Sequence, residues 1–177
     1  MTRFVGIFCG ASNADTRLLE QEAFSLGTKL ASQDYKILYG GGTQGLSGAL
    51  LEGAISYDLN SIIAVVQKHE LDLIKSTGIT CHQVASVSER KDFILSKSEK
   101  IFILPGGLGT FDELAYCVLC KQSGEYAGDI ILIDFGGYWA FLDDVFEKMA
   151  SYRFIKQSDR GLYKRISNLD DINEVMV

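Results

Sequence analysis

Proline and histidine are scarce in this sequence, at one and two copies in 177 residues. With a lone proline there is no proline-rich linker. No low-complexity tract or internal repeat is visible either, so one domain over residues 1–177 is expected. That length suffices to bury a sizeable core. Cys117 and Cys120 form a C-x-x-C, but no second such pair accompanies them, and His69 and His82 lie far from them in the chain. The pair sits in an apolar helical stretch and reads as two buried thiols, so no metal site is expected. No apolar run approaches a membrane span, and the opening MTRFVGIFCG has no signal-peptide cleavage pattern. A cytoplasmic protein with no membrane partner is therefore expected. Positive charge is also in short supply: 17 Lys and Arg stand against 23 Asp and Glu, a net charge of −6. Without clustered basic residues no nucleic-acid partner is expected. A small anion needs positive potential focused by a few residues and by helix N-termini.

What is present is alternation. Apolar, β-branched runs at 4–9, 36–39, 61–66, 79–85, 100–104 and 129–134 read as strands. Between and after them, 18–31, 46–57, 71–75, 88–98, 110–122, 138–149 and 168–176 read as helices, with Leu19, Ala23, Leu26 and Leu30 close to one face of the first. Strands apolar throughout are buried on both faces. The fold class is therefore α/β, a Rossmann-like doubly wound parallel sheet with helices on both faces. Ligands of such sheets sit beyond the carboxyl ends of the strands, so the informative residues should follow Cys9, Tyr39, Val66 and Leu104.

Two glycine-rich loops lie there. Gly40, Gly42 and Gly45 match G-x-G-x-x-G, but after the second strand, and the third strand ends in Val66-Gln67 with no acid to hold a ribose. The loop is also no Walker motif. What remains is backbone N–H groups at a helix N-terminus, or a tight turn with no ligand. The second loop is LPGGLGTFDE, 104–113. Pro105 ends the strand, and Gly106, Gly107 and Gly109 keep the backbone bare. Thr110 to Glu113 has the T-x-x-E form of a capping box, which accounts for both residues without a ligand but not for the glycines before them. Arg90-Lys91, near the start of a helix, supplies positive charge. A solvated basic pair and a phosphate clamp are both open readings.

Pro105 to Glu113 matches PGGxGTxxE, Arg90-Lys91 stands upstream, and GGGTQGLSG (40–48) and IFCGAS (7–12) accompany them. Together these resemble the Lonely Guy family, the cytokinin riboside 5′-monophosphate phosphoribohydrolases, often mislabelled as lysine decarboxylases. The resemblance spans roughly residues 4–154. It implies a homodimer that hydrolyses the N-glycosidic bond of a nucleoside 5′-monophosphate to free base and ribose 5-phosphate, with no metal or redox cofactor. Carried over by motif, Arg90 and Glu113 are the catalytic pair. Lys91 and the backbone of Gly107, Leu108, Gly109 and Thr110 hold the nucleotide. Gly42, Gly45, Gly106 and Asp112 stand with them on the substrate side, and Glu70, in HEL, is similar to the family's base-side glutamate. Asp112 lies about 100° round the helix from Glu113, so the two do not face one ligand equally. A carboxylate kept ionised beside the ribose would stabilise the positive charge of cleavage, while Arg90 would orient it or assist departure of the base. The chain departs from the family at Ser47, where methionine is common, and at Leu119, where threonine is. The rival reading is a non-catalytic carrier of a phosphorylated, purine-like ligand, as in molybdenum-cofactor carriers of the same fold. The Arg90 and Glu113 pair favours the enzyme.

Overall fold

The computed structural model describes residues 2–12, 17–33 and 35–176. In chain order the elements are β1 (Arg3–Phe8), α1 (Arg17–Ser32), β2 (Tyr35–Tyr39), α2 (Gly45–Tyr57), β3 (Ile62–Gln67), α3 (Leu71–Lys75) and β4 (Thr80–Val84). Next come α4 (Val87–Lys97), β5 (Lys100–Ile103), α5 (Leu108–Ser123), β6 (Asp129–Ile133), α6 (Phe141–Ser151), β7 (Lys164–Ile166) and α7 (Ile172–Met176). All seven strands are parallel, in the order β4-β3-β2-β1-β5-β6-β7.

Successive side chains of a strand point to opposite faces, and here both faces are apolar. Ile7, Ile37, Ala64, Phe102 and Ile131 pack with Leu26 and Leu30 of α1, Leu50 of α2 and Ile172 of α7. Phe8, Leu38, Val65, Ile103 and Leu132 pack with Ile94 of α4, Leu114 and Cys117 of α5 and Leu142 of α6. The chain is thus a doubly wound α/β sheet, as the uninterrupted apolar strands require. β1 lies between β2 and β5, so the loops leaving β1 and β5 diverge to opposite faces and open a crevice. Both loops are pinned at its base, where the Gly10 N–H donates to the Pro105 carbonyl at 3.0 Å.

Three local expectations need correction. β7 is a strand where none was expected. It is an edge strand of three residues, Lys164 exposed and only Ile166 buried, too short to show a period. The sixth helix, α6, starts at Phe141, not 138, because Gly136 and Gly137 take left-handed conformations, φ 63° and 74°, and residues 135–137 form a tight turn. α5 starts two residues early. Gly107 is its N-cap and no side chain caps it, so Thr110 lies inside the first turn and the T-x-x-E capping box does not form. Thr110 is instead buried against Gly106, where a Cβ on the glycine would stand 2.1 Å from the threonine hydroxyl oxygen.

Candidate active site

A cavity of about 850 Å³ fills the crevice beyond the carboxyl ends of β1, β2, β3 and β5. Its walls come from residues 9–12 after β1, 40–44 after β2, Glu70 and Leu73 after β3, Arg90 on α4, 105–110, Glu113 on α5 and Tyr138 after β6. Of the residues singled out by sequence, Arg90, Glu113, Glu70, Gly42, Gly106, Gly107, Leu108, Gly109 and Thr110 line this one space. Gly45, Lys91 and Asp112 do not. Gly45 opens α2 in a left-handed conformation, φ 57°. The Lys91 ammonium bonds the Asp112 carboxylate at 2.7 Å and lies 5.0 Å from the centre of the Tyr116 ring. Neighbours on a helix diverge by about 100°, so the cavity receives one member of each pair, Arg90 and Glu113, and leaves the other two to bond one another.

Arg90 is held by its surroundings before any ligand arrives. Ser86 caps α4, its hydroxyl accepting the Glu89 N–H at 3.1 Å, and this fixes the first turn that carries Arg90. The Arg90 guanidinium donates to the Glu70 carboxylate and, at 3.4 Å, to the Gly40 carbonyl. The same Glu70 oxygen accepts the Gln67 N–H at 2.6 Å, so the glutamate is itself fixed at the end of β3. Glu70 therefore orients Arg90 as well as lining the cavity. The Arg90 Nε–H is buried without a partner among the described residues. An unmet buried donor costs about 1–3 kcal/mol, and a bound substrate oxygen is the kind of group that removes such a deficit.

Glu113 is half-buried, and burial pushes its carboxyl up from 4.5 to about 7. Arg90 is the largest opposing influence, Asp112 adds to the rise and Lys91 offsets it. A helix N-terminus favours an ionised carboxylate within its first turn. Because α5 begins at Leu108, Glu113 stands beyond the first turn, where the dipole has faded and desolvation wins. Cys9 also lines the cavity, its thiol donating to the Ser47 hydroxyl at 3.5 Å. Burial pushes this thiol up to about 12, so it stays protonated and is no nucleophile at neutral pH. Among the described residues no group of three or more His, Cys, Asp or Glu is placed to hold a metal ion. Cys117 and Cys120 are buried free thiols.

The two glycine loops differ in why they are glycine. In the first, a Cβ on Gly42 would come within 2.8 Å of Ala11 and Ser47, so packing alone demands glycine there. In the second, a Cβ on Gly107 or Gly109 would meet nothing within 4 Å. Neither has a positive φ. The fold does not require glycine at these two positions. Both glycines line the cavity, so the bare backbone at the start of the 16-residue α5 is open to whatever the cavity holds.

The model of the family described as "Possible lysine decarboxylase" matches residues 48–176. The chain belongs to this family, the Lonely Guy family. A Lonely Guy relative from Oryza sativa subsp. japonica, named as a probable cytokinin riboside 5′-monophosphate phosphoribohydrolase, is 31% identical over 91% of this chain and 71% of its own length. A cytokinin riboside 5′-monophosphate phosphoribohydrolase of Arabidopsis thaliana is likewise 31% identical, over 88% of this chain and 74% of its own. Among solved structures, the molybdenum cofactor carrier protein of Chlamydomonas reinhardtii superposes with a TM-score of 0.72 at 16% identity, covering 99% of both chains. That likeness speaks for the fold.

Sequence reasoning missed Tyr138, Leu73 and the polar wall residues Thr43 and Gln44. Tyr138 had a signal. It follows two glycines in the loop after β6, the strand beside β5, whose carboxyl end also opens on the cavity. Leu119, by contrast, is 60% exposed on α5 and lies off the cavity wall.

Proposed function

We propose that this chain is a single nucleotide-binding domain that hydrolyses the N-glycosidic bond of nucleoside 5′-monophosphates. The observation that carries the reading is the convergence of Arg90 and Glu113 on one cavity whose floor is bare glycine backbone. The named relatives support it. The 5′-phosphate meets N–H groups at the start of α5, and Arg90 and Glu113 face the ribose. As the bond to the base lengthens, positive charge builds on the ribose ring and the ionised Glu113 carboxylate stabilises it. Water supplies a hydroxyl to the anomeric carbon, and the base leaves with the proton. Arg90, its two terminal nitrogens held by Glu70 and the Gly40 carbonyl, offers its unpartnered Nε–H to the substrate without reorganisation. Lys91 and Asp112 act from outside the cavity, by tying α4 to α5. We infer a cytoplasmic homodimer; exposed Phe111, Leu119 and Phe154 offer apolar surface for a second copy.

The "lysine decarboxylase" description fits the residues poorly. Pyridoxal-phosphate chemistry needs a lysine amine for the Schiff base. No lysine is among the described residues that line the cavity.

The deciding experiment offers the protein AMP or adenosine and measures free adenine. Adenine should appear from AMP and not from adenosine. Equal turnover of both would remove the phosphate from the reading. Tight AMP binding with no adenine from any nucleoside monophosphate would favour a carrier.

A further inference from the structure

The turn after β6 is built with more support than a connection needs. Gly136 and Gly137 reverse the chain, and the buried Asp134 carboxylate accepts the backbone N–H of Trp139 at 2.6 Å. Arg165, on the short strand β7, bonds both carboxylate oxygens of Asp143, at 2.8 and 3.0 Å, and reaches the Trp139 carbonyl at 3.4 Å. Trp139 is buried and meets the Tyr138 ring edge-on, with centroids 4.9 Å apart. Phe141 continues the group to Phe111 of α5, at 6.3 Å. All of this fixes one residue at the cavity wall, Tyr138, whose hydroxyl donates to the Gly106 carbonyl at 2.5 Å.

A trans peptide carries its C=O and N–H on opposite edges. Whatever holds the Gly106 carbonyl therefore aims the Gly107 N–H the other way. We propose that Tyr138 is a positioning residue for the substrate phosphate, its hydroxyl holding the Gly106 carbonyl so that the Gly107 N–H at the start of α5 faces the cavity. This rests on the nucleotide reading above and adds a part to it. The hydroxyl acts on binding, through the glycine loop, and leaves the reacting bond to Arg90 and Glu113. Arg165 also comes within 3.7 Å of the Asp134 carboxylate, and this Asp134–Arg165–Asp143 tie, off the cavity wall, acts one step further back by fixing the turn.

Tyr138→Phe keeps the ring and removes only the hydroxyl. AMP hydrolysis should show KM raised by about three- to tenfold, the worth of one net hydrogen bond, with kcat nearly unchanged. Calorimetric binding of ribose 5-phosphate, which needs no turnover, should weaken by a similar factor. The melting temperature should stay within a few degrees. Unchanged affinity for ribose 5-phosphate and unchanged KM would make the hydroxyl a packing detail and overturn the proposal. A fall in kcat at constant KM would also overturn it, by giving Tyr138 a direct part in the chemistry. If neither protein hydrolyses AMP, the hydrolase reading fails by itself, and the binding comparison still decides the role of Tyr138.

Discussion

At the scale of single residues, Glu113 carries opposed demands. Burial favours its neutral form and the nearby Arg90 favours the charged one, with burial ahead. A carboxyl raised from 4.5 to about 7 binds a proton in the folded state that it has lost in the unfolded chain over that window. Its contribution to stability is therefore whole below pH 4.5 and lost as pH rises through 7. Glu113→Gln, which cannot ionise, should melt with wild type near pH 4 and above it at pH 8, by about 1–3 kcal/mol. Chemistry should run the other way. In wild type, kcat/KM for AMP should climb with pH, reach about half its limit near pH 7 and level off above it, since it follows the free enzyme. The glutamine variant should lose that limb and fall by roughly a hundredfold or more. Melts and rates over pH 4–8 test both. A variant less stable than wild type at pH 8 would sink the account of a buried acid, and a pH-independent wild-type rate would sink its role in the reaction. Arg90 and Glu113 were legible because a whole motif surrounds them. The pairing of Lys91 with Asp112 was not, because sequence neighbours carry no sign of which one faces inward.

At the scale of elements, α5 delivers the site. Its strand-to-helix loop was legible from one proline and three glycines, and most strands from continuous apolar runs. The helix start was misplaced because T-x-x-E imitates a cap. The fold prefers to bury Thr110 against Gly106 and let Gly107 begin the helix. β7 escaped notice because three residues at a sheet edge cannot display alternation, yet its Arg165 anchors the turn that bears Tyr138. The glycines themselves make a test. Alanine at 109 would enter open space in the first turn of a helix, where it should be neutral or stabilising, up to about 1 kcal/mol. Gly109→Ala should thus melt at or above the wild-type temperature and bind AMP at least several-fold more weakly by calorimetry. Undiminished AMP affinity would mean that the nucleotide does not approach the backbone there.

At the scale of the whole molecule, the cavity is a seam. Residues before the start of α4 contribute Gly10, Gly42 and Glu70; residues after it contribute Arg90, Gly107, Glu113 and Tyr138. Neither stretch holds both members of the Arg90 and Glu70 pair or both glycine loops. The parallel sheet brings them together by placing β5 beside β1, and two backbone hydrogen bonds, Leu104 N–H to the Phe8 carbonyl at 2.9 Å and Gly10 N–H to the Pro105 carbonyl at 3.0 Å, tie the ends of those strands.

That tie between the strand ends makes the tolerance of the chain to added length lopsided. Doubling a loop costs only about 0.6 kcal/mol in closure entropy wherever it lies, so entropy does not choose between sites. Geometry does. A Gly-Ser insertion between the exposed Ser76 and the half-buried Thr77 falls in the turn leading into β4, at the end of the sheet away from the cavity. It should leave both folding and AMP binding intact. The same dipeptide between Gly106 and Gly107 should leave circular dichroism and the melt nearly unchanged, because the core lies behind it, and abolish AMP binding by moving the start of α5 out of register with the β1 loop. Undisturbed AMP binding in the second protein would show that this spacing is not fixed. If the contrast holds, length variation in such chains is confined to one end of the sheet, and the other end can change only by substitution.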